Sequence, residues 1–368
     1  MLRPVVGIDG SRLSRAEKTG TETYSDALIN GLVDRVAPWR WRVYLDSHAD
    51  EHPWPGEVDR RMITAPRLWT HGRLSLEMAT HAPDILFVPA HVIPLVHPKS
   101  VVTIHDLGYL HIPEGHPGRQ RRMLELATRW NARTATRIIV PSKTTRDDLV
   151  DSFGISADRI RVIYHGVDQR FRSVSRDEQS RVTSSYGLER PYVLAVGTIQ
   201  PRKDLPTLAR ATALLIASGQ DLDLVVAGKN GWLADEVHEQ LMTVGLGNRF
   251  RHLAYVPADD LPGLYRGAAC FVQPSLFEGF GMPVVEAMAA GSPVVCARSS
   301  SLPEIAGDAA GFFETSDDRD LAMVLERILL DDDYRGHLIA GGLERSRLFS
   351  WKKSVNETML VLREALEA

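Results

Sequence analysis

The chain has 368 residues, of which 44% are hydrophobic and 24% charged, and its formal net charge is −4. This length suits two domains, and a slightly acidic chain of ordinary composition gives no electrostatic reason to expect nucleic acid as a partner. The first apolar run ends at Asp9 and none approaches the roughly 20 residues of a spanning helix, so neither a signal peptide nor a membrane span is predicted. Cys270 and Cys296 lie in short apolar runs typical of buried thiols, so we expect a cytoplasmic protein.

Short β-branched runs alternate with longer helical patterns along the whole chain, which is typical of parallel sheets with crossover helices. In the first half, a helical pattern at 21–36 follows the first candidate strand. The candidate strands there are 4–9, 41–46, 84–89, 100–105, 137–142 and 159–164. The predicted fold class is therefore α/β.

The second half repeats this plan of alternating strands and helices. Its strands are 191–197, 223–228, 251–256, 270–275 and 293–297, and its helices are 204–218, 234–243, 259–268, 283–290 and 319–331. Residues 167–190 are polar and serine-rich without sustained periodicity, so we place a hinge there. We expect two doubly wound domains, residues 1–170 and 171–350, that bind ligands outside the carboxyl ends of their strands.

The stretch "EGFGMPVVE" places two carboxylates beside a glycine-rich turn that opens a helix. Pro283 is typical of the first position of a helix, so Glu278 is expected in the loop and Glu286 in the first turn. Gly279 and Gly281 let backbone N–H groups approach a ligand, and the helix N-terminus favours an anion. Carboxylates accept hydrogen bonds from vicinal hydroxyls, so the combination indicates a phosphorylated sugar. The alternative is a solvated Glu278 and a Glu286 that only complements the helix dipole.

A pair of cations in "TIQPRKDLPTL" follows the candidate strand at 191–197. Arg202 and Lys203 are expected at the carboxyl end of that strand, where they are placed to bind a diphosphate. A pair of this kind is also common in solvated loops, so both interpretations stay open at this point.

Several of these motifs resemble those of the retaining glycosyltransferases of family 4. "EGFGMPVVE" matches their Glu-x7-Glu motif, and "VGTIQPRKDLPTLARA" resembles their phosphate-binding strand and loop. Shorter matches, among them "TIHDLGYL" and "VIYHGVDQRF", extend the resemblance over essentially the whole chain. It implies the GT-B fold, with two Rossmann-like domains facing a central cleft and a C-terminal helix at 351–368 that packs back on the first domain.

The resemblance also implies an activity. Family members transfer a hexose from a nucleotide-diphosphate sugar, retain its anomeric configuration and use no metal or other cofactor. The first domain would bind a glycan or lipid-linked acceptor of polysaccharide or glycolipid biosynthesis, and the second the nucleotide sugar. Because "VGTIQPRK" is most similar to the mannosyltransferase-like branch, mannose from GDP-mannose is our first guess. Arg202 and Lys203 would stabilise the departing diphosphate in place of a divalent ion.

Site residues follow from the resemblance by matching position. Glu278 would hold the donor sugar, and His105 would bond the donor sugar or polarise the acceptor. The donor-binding set is Gly20, Arg202, Lys203, Val256, Gly279, Phe280, Gly281 and Glu286. In that set, Glu286 would hold the ribose hydroxyls and Val256 would meet the base. From position alone, His105 could equally cap the turn after its strand. The N-terminal loop "RLSRAEKTGTETY" departs from relatives, which often carry a second glycine and an arginine after the first.

Three other patterns are interpreted as structural. "DLDL" at 221–224 has the spacing of a metal-binding Asp-x-Asp, but it enters its strand at the amino end, so no metal site is predicted. "DDD" at 331–333 is expected to close a helix. "GFGMPV" resembles a dinucleotide fingerprint but lacks its third glycine, which disfavours a dehydrogenase.

Residues 116–137 form a basic amphipathic pattern, with six arginines against one acid and with Met123, Leu126 and Trp130 on an apolar stripe. Such a helix could contact the inner face of an anionic membrane peripherally. Alternatively, it packs on the core with its arginines in solvent or in the cleft.

Two activities other than sugar transfer stay open. One is a nucleotide-sugar epimerase or hydrolase of the same fold, and the other is a catalytically silent sugar-nucleotide-binding subunit. The intact Glu-x7-Glu, Arg-Lys and histidine motifs disfavour the silent subunit. Donor turnover without an acceptor would separate an epimerase or hydrolase from a transferase.

Overall fold

The computed structural model describes residues 3–14, 17–46, 54–63, 69–115 and 117–368. By their contacts the residues group into two compact units. The first unit is Met1–Leu107, Arg119–Gly166 and Trp351–Ala368, and the second is Gly108–Gly118 and Val167–Ser350. The boundary drawn from the sequence placed Gly108–Gly118 in the first domain, whereas its contacts assign it to the second unit.

Each unit is built on a sheet in which every described pairing is parallel. The strands are β1 (Val5–Asp9), β2 (Arg40–Leu45), β3 (Asp59–Met62), β4 (Ile85–Val88), β5 (Lys99–Thr103), β6 (Arg137–Val140), β7 (Ile160–Val162), β8 (Tyr192–Val196), β9 (Asp223–Ala227), β10 (Phe250–His252), β11 (Cys270–Gln273), β12 (Val294–Ala297) and β13 (Gly311–Phe313). Their order is β3-β2-β1-β4-β5-β6-β7 in the first unit and β10-β9-β8-β11-β12-β13 in the second. The order reverses between β1 and β4 and between β8 and β11, so the predicted α/β class with two doubly wound sheets is confirmed.

Helices join the strands throughout the described chain. They are α1 (Gly20–Val33), α2 (Ser75–His81), α3 (Gly108–His111), α4 (Gly118–Thr134), α5 (Lys143–Phe153), α6 (Arg176–Ser185), α7 (Leu205–Ala217), α8 (Ala234–Thr243), α9 (Leu261–Gly267), α10 (Met282–Ala290), α11 (Leu302–Ala306), α12 (Asp318–Leu330), α13 (Asp332–Ser346) and α14 (Trp351–Glu367). All residues of the inner strands β4 and β12 are buried, as expected of parallel strands covered on both faces.

The C-terminal helix α14 packs against α1 within the first unit. A Cβ atom at Gly31 of α1 would lie 2.5 Å from Cγ2 of Val355, so this close approach of the two helices requires glycine. Ser354 Oγ also donates to the carbonyl oxygen of Tyr164 at 2.6 Å, which ties α14 to the segment after β7. Helix α14 therefore completes the core of the first unit.

Two segments of the second unit contain more regular structure than the sequence indicated. The segment expected to be a hinge contains α6, which packs on α9. This helix starts at an N-cap, Ser175, whose hydroxyl accepts the N–H of Glu178 at 3.1 Å. The "DDD" run closes α12, as expected, and it also opens α13. Asp331 ends α12 and is also the N-cap of α13, accepting the N–H of Tyr334 at 2.8 Å.

Candidate functional site

The predicted cations and the first predicted glutamate meet where the strand order of the second unit reverses. Arg202 and Lys203 lie in a short 3-10 turn, Pro201–Lys203, after β8, and Glu278 lies in the loop after β11. Because β8 and β11 are neighbours, the two loops leave the sheet side by side. The N–H of Leu276 donates to the carbonyl oxygen of Arg202 at 2.8 Å and fastens one loop to the other.

Glu278 is a buried carboxylate surrounded by hydrogen-bond donors. Its Oε1 accepts from Lys203 Nζ at 2.5 Å, from Gln273 Nε2 at 2.9 Å and from Ser275 Oγ at 2.7 Å. Its Oε2 accepts from the Arg202 guanidinium at 3.0 Å, and the residue is only 7% exposed. The interpretation of Glu278 as a solvated loop residue is therefore excluded.

The charge of Glu278 is stabilised by the two cations. Burial raises the pKa of a carboxyl group, because the ionised form loses its hydration. At Glu278 this effect is outweighed by the charges of Lys203 and Arg202, which lower the pKa to about 2. The free protein therefore holds two cations that share one ionised carboxylate at neutral pH.

Two donors to this carboxylate, Gln273 and Ser275, were missed in the sequence. Both are fully buried, at 1% and 0% exposure. A signal was present, because Gln273 is a polar residue at the carboxyl end of an otherwise apolar strand, where ligand-site residues of doubly wound sheets lie.

Serines after β12 fix the backbone of the Glu278 loop. The N–H of Glu278 donates to Ser300 Oγ at 2.7 Å, and Ser301 Oγ donates to the carbonyl oxygen of Glu278 at 2.9 Å. Ser300 has a φ of 44°, in the left-handed region that non-glycine residues rarely adopt. The carboxylate is thus positioned through its backbone as well as its side chain.

The predicted glycine-rich turn is present between Glu278 and α10. Gly281 is the N-cap of α10 with a φ of 89°, a conformation that favours glycine. Gly279 and Phe280 are buried, and the Phe280 ring lies edge-on to that of Phe349 at 5.6 Å. The side chain of Phe280 therefore belongs to the core.

Glu286 lies on α10, but not in its first turn as expected. The helix begins at Met282, one residue before Pro283, which places Glu286 in the second turn. Burial raises the pKa of Glu286 to about 7, and a hydrogen bond from the Tyr265 hydroxyl at 2.9 Å partly offsets that rise. The nearby charge of Asp168 raises the pKa further. This carboxyl group therefore changes its charge near neutral pH.

Val256 is buried in the connection between β10 and α9. The strand ends at His252, four residues before the end that the sequence indicated. The connection is held by the N–H of Gly228, which donates to the carbonyl oxygen of Ala254 at 2.6 Å. It also carries Asp259, which pairs with Arg170 at 2.7 Å.

His105 follows β5 in the first unit. Its Nε2 lies 2.9 Å from the carbonyl oxygen of Pro89, and since a carbonyl only accepts, Nε2 carries the proton. Burial lowers the pKa of the ring, so at neutral pH the imidazole is uncharged and Nδ1 is its acceptor. The ring of Tyr24 meets that of His105 edge-on at 4.8 Å. The geometry presents one hydrogen-bond acceptor on a ring of fixed orientation.

Gly20 is the first residue of α1, and the helix N-terminus there is occupied by a carboxylate of the chain itself. Thr19 and Glu22 form a capping box, in which Glu22 accepts the N–H of Thr19 at 3.2 Å. Arg12 pairs with the same carboxylate at 3.3 Å. The helix N-terminus beside Gly20 is therefore already occupied by the Glu22 carboxylate, which pairs with Arg12. The sequence "TGTE" carries the signal for this box, which was missed.

The acidic pair at 221–224 lies at the amino end of β9, away from the site. Arg249 pairs with Asp221 at 2.5 Å and with Asp223 at 3.5 Å. Among the residues that the structure describes, no three His, Cys, Asp or Glu side chains converge as a metal site. Within the same ranges, every helix is too short or too polar to span a bilayer.

Helix α4 carries the basic pattern at 116–137, of which residue 116 lies outside the described residues. Its buried face consists of Thr128, Asn131 and Ala132. Met123 and Leu126 are 65% and 68% exposed, so these two members of the expected apolar stripe do not pack on the core, whereas Trp130 is half-buried with its ring edge-on to that of His97 at 6.2 Å. The exposed arginines that share this face are Arg119, Arg122, Arg129 and Arg133.

Both units match known family models. Residues 19–171 match the family described as "Glycosyltransferase Family 4", and residues 176–345 match "Glycosyl transferases group 1". The chain is 33% identical over 301 residues to O-antigen chain mannosyltransferase B of Escherichia coli, covering 81% of this chain and 79% of that one. It is 35% identical over 248 residues to D-inositol 3-phosphate glycosyltransferase of Salinispora tropica, covering 63% of this chain and 52% of that one.

Solved structures share the fold over nearly the whole length. Anabaena HepE in complex with UDP and glucose superposes with a TM-score of 0.76 at 18% identity, covering 98% of this chain and 99% of that one. WaaG, a glycosyltransferase involved in lipopolysaccharide biosynthesis, superposes with a TM-score of 0.77 at 16% identity, covering 96% and 98%. These similarities include both sheets.

Proposed function

The chain belongs to glycosyltransferase family 4, and from this membership we propose that its second unit holds a nucleotide-diphosphate sugar whose hexose is transferred to a glycan or lipid-linked acceptor. The predicted family, the GT-B fold and glycosyltransferase activity in glycan biosynthesis are confirmed by the relatives. The observation that carries the donor assignment is the Arg202–Glu278–Lys203 ion cluster at the strand-order reversal of the second sheet.

The two cations suit a diphosphate leaving group. Arg202 and Lys203 are held in a turn at the carboxyl end of β8, where their N–H groups can be redirected from Glu278 to phosphate oxygens. When they turn to the diphosphate, Glu278 is free to accept hydrogen bonds from hydroxyls of the donor sugar. The charge that develops on the leaving group is then stabilised without a divalent ion, and we infer that transfer needs no metal.

His105 and Glu286 complete the proposed assignment. A neutral His105 accepts a hydrogen bond at Nδ1, which suits a hydroxyl of the donor sugar or of the acceptor. Ionised Glu286 accepts hydrogen bonds from the two ribose hydroxyls. Retention of the anomeric configuration is inferred from family membership. Mannose is the first sugar to test, because the O-antigen chain relative is a mannosyltransferase by name.

The pH dependence of donor binding follows from Glu286. Its carboxyl group has a pKa of about 7 in the free protein, and ribose hydroxyls bind the ionised form. KM for the donor should therefore rise about tenfold as the pH falls from 8 to 6. Because the Tyr265 hydroxyl lowers this pKa, Tyr265→Phe should move the rise to higher pH. The matched control is Tyr186→Phe, which removes a hydroxyl bonded to Asp260 and should leave the profile in place.

A thermal-shift panel tests the donor assignment. The purified protein is heated with GDP, UDP, ADP and TDP and with their sugar conjugates, each with and without EDTA. A ligand at 100 times its Kd should stabilise the fold by roughly 2.7 kcal/mol, and we expect one base class to do so whether or not EDTA is present. A protein indifferent to every nucleotide would refute the donor site.

We also propose that the exposed face of α4 rests on an anionic membrane surface. It combines exposed arginines with exposed Met123 and Leu126, and an interfacial helix needs both charge attraction and apolar insertion. The double variant Met123→Ser/Leu126→Ser should lose about tenfold in affinity for phosphatidylglycerol vesicles in a co-sedimentation assay. Met242→Ser/Met323→Ser removes equally exposed methionines of the second unit and should not. Equal binding by all variants would contradict this contact.

A further inference from the structure

Gln273 and Ser275, the two uncharged hydrogen-bond donors to Glu278, are also bonded to each other. Gln273 Nε2 lies 2.7 Å from Ser275 Oγ and 2.9 Å from Glu278 Oε1. A carboxylate only accepts, so the amide nitrogen faces Glu278 and the single hydroxyl hydrogen of Ser275 points at the same oxygen, at 2.7 Å. Ser275 is itself held by Ser299 Oγ, which donates to its carbonyl oxygen at 2.7 Å. Gln273 and Ser275 therefore fix the orientation of Glu278 without using charge.

In the proposed function, the two cations that donate hydrogen bonds to Glu278 also bind the diphosphate of the sugar donor. Arg202 and Lys203 stabilise the buried carboxylate in the free protein, yet the same groups are expected to bind the diphosphate of the donor. As they turn to phosphate, Glu278 loses part of its charge compensation while it stays buried. Burial then favours its protonated form, which accepts fewer hydrogen bonds from a sugar.

Resting on the proposed function, we propose that Gln273 and Ser275 are positioning residues that keep Glu278 an oriented carboxylate while the donor diphosphate occupies Arg202 and Lys203. Phosphate attracts cations, whereas it has no comparable attraction for an amide and a hydroxyl that are buried beneath the loop. The neutral pair therefore stays on Glu278 when the ion cluster is rearranged.

The burial of Gln273 supports a functional reason for its presence. The rest of β11 is apolar, and Gln273 Oε1 has no hydrogen-bond partner among the described residues. A buried, unpartnered amide oxygen destabilises a fold. The side chain also lines a small cavity together with Gly197 and Lys203. An apolar residue would suit the strand better, so the amide is best explained by its bond to Glu278.

The strongest charge effects on Glu278 come from Arg202 and Lys203, and His111 stacks on the neighbouring Phe277 at 4.6 Å. Arg202 and Lys203 reach it from the loop after β8, and Cys296 approaches it from β12. Burial raises the pKa of the Cys296 thiol, which is therefore uncharged at neutral pH. Protonation of His105 at low pH can also contribute to the acid limb, so only a shift confined to the variants of Gln273 and Ser275 is attributed to Glu278.

The test is the pH profile of kcat for Gln273→Met, Ser275→Ala and a control, Gln200→Met. Gln200 is also buried, at 3% exposure, and its Oε1 has no partner either, but it makes no bond to Glu278. The pH profile of kcat reports the protonation states of the enzyme–donor complex. In that complex the ribose hydroxyls hold Glu286 in its ionised form. We expect the acid limb to move up by about one pH unit and kcat to fall about tenfold in the first two variants, with little change in KM.

Failure of the positioning role and failure of the proposed function give different results. An unmoved acid limb in both Gln273→Met and Ser275→Ala, or an equal shift in Gln200→Met, would overturn the positioning role while sugar transfer by the wild type still stands. Ser275→Ala removes a single oxygen atom and keeps the test open if Gln273→Met folds poorly. A wild type that transfers no sugar would overturn the proposed function and this inference with it.

Discussion

Glu278→Gln is expected to lower kcat by about 10²-fold and, at the same time, to tighten the binding of a free nucleoside diphosphate about tenfold. Turnover falls because the amide cannot accept sugar hydroxyls as the carboxylate does. Diphosphate binding strengthens because the carboxylate competes for Arg202 and Lys203 in the free protein, at 3.0 and 2.5 Å, and the neutral amide does not. Steady-state turnover and calorimetric titration with the diphosphate measure the two effects.

The opposite directions of these effects make the result specific. The control is Glu314→Gln, which removes an exposed carboxylate paired with Arg298 at 3.1 Å and should change neither quantity. Weaker diphosphate binding by Glu278→Gln, or turnover close to that of the wild type, would contradict the account of the ion cluster.

Lys203→Met should also lower turnover by about 10²-fold or more, but it should weaken diphosphate binding. The ammonium group makes the shorter of the two cationic contacts to Glu278, and in the proposed function it also contacts the leaving diphosphate. Its removal takes away transition-state charge stabilisation and leaves a buried carboxylate with one cation. Lys352→Met, at an exposed position on α14, is the control.

The same variant should change the acid stability of the protein. Glu278 has a pKa of about 2 when folded, below its ordinary value of 4.5, so its ion pairs stabilise the fold above pH 4.5. This contribution is lost as the pH falls from 4.5 towards 2. Urea unfolding at pH 7 and at pH 3 should show Lys203→Met losing more stability at pH 7. A loss that does not depend on pH would argue against the ion pair.

The fold was largely predictable because most strands are short apolar runs that are buried on both faces, such as β4 and β12. Elements without such a pattern were missed. Strand β3 reads "DRRM" and lies mostly exposed at a sheet edge, and β13 has only three residues. Helix α6 buries only Val182, so its polar sequence was interpreted as a hinge.

The sequence indicated which residues belong to the site but not which of them contact each other. Glu278 and Lys203 were identified by resemblance and by their position after strands, yet they are 75 residues apart in the chain. Their ion pair depends on β8 lying beside β11, which the sequence does not state. The environment of Glu286 was missed for the same reason, because its partner Tyr265 is on another helix. The roles given to these residues stay predictions until they are measured.

The most direct measurement of the central claim is a transfer reaction with GDP-mannose and a mannose oligosaccharide acceptor, with the new linkage identified by NMR. We expect a linkage with the anomeric configuration of the donor and a rate that EDTA does not change. If the thermal-shift panel shows that a nucleotide other than GDP stabilises the protein, the sugar conjugate of that nucleotide replaces GDP-mannose. An inverted linkage, a rate abolished by EDTA, or donor turnover that is equally fast without acceptor would contradict a metal-free retaining transferase.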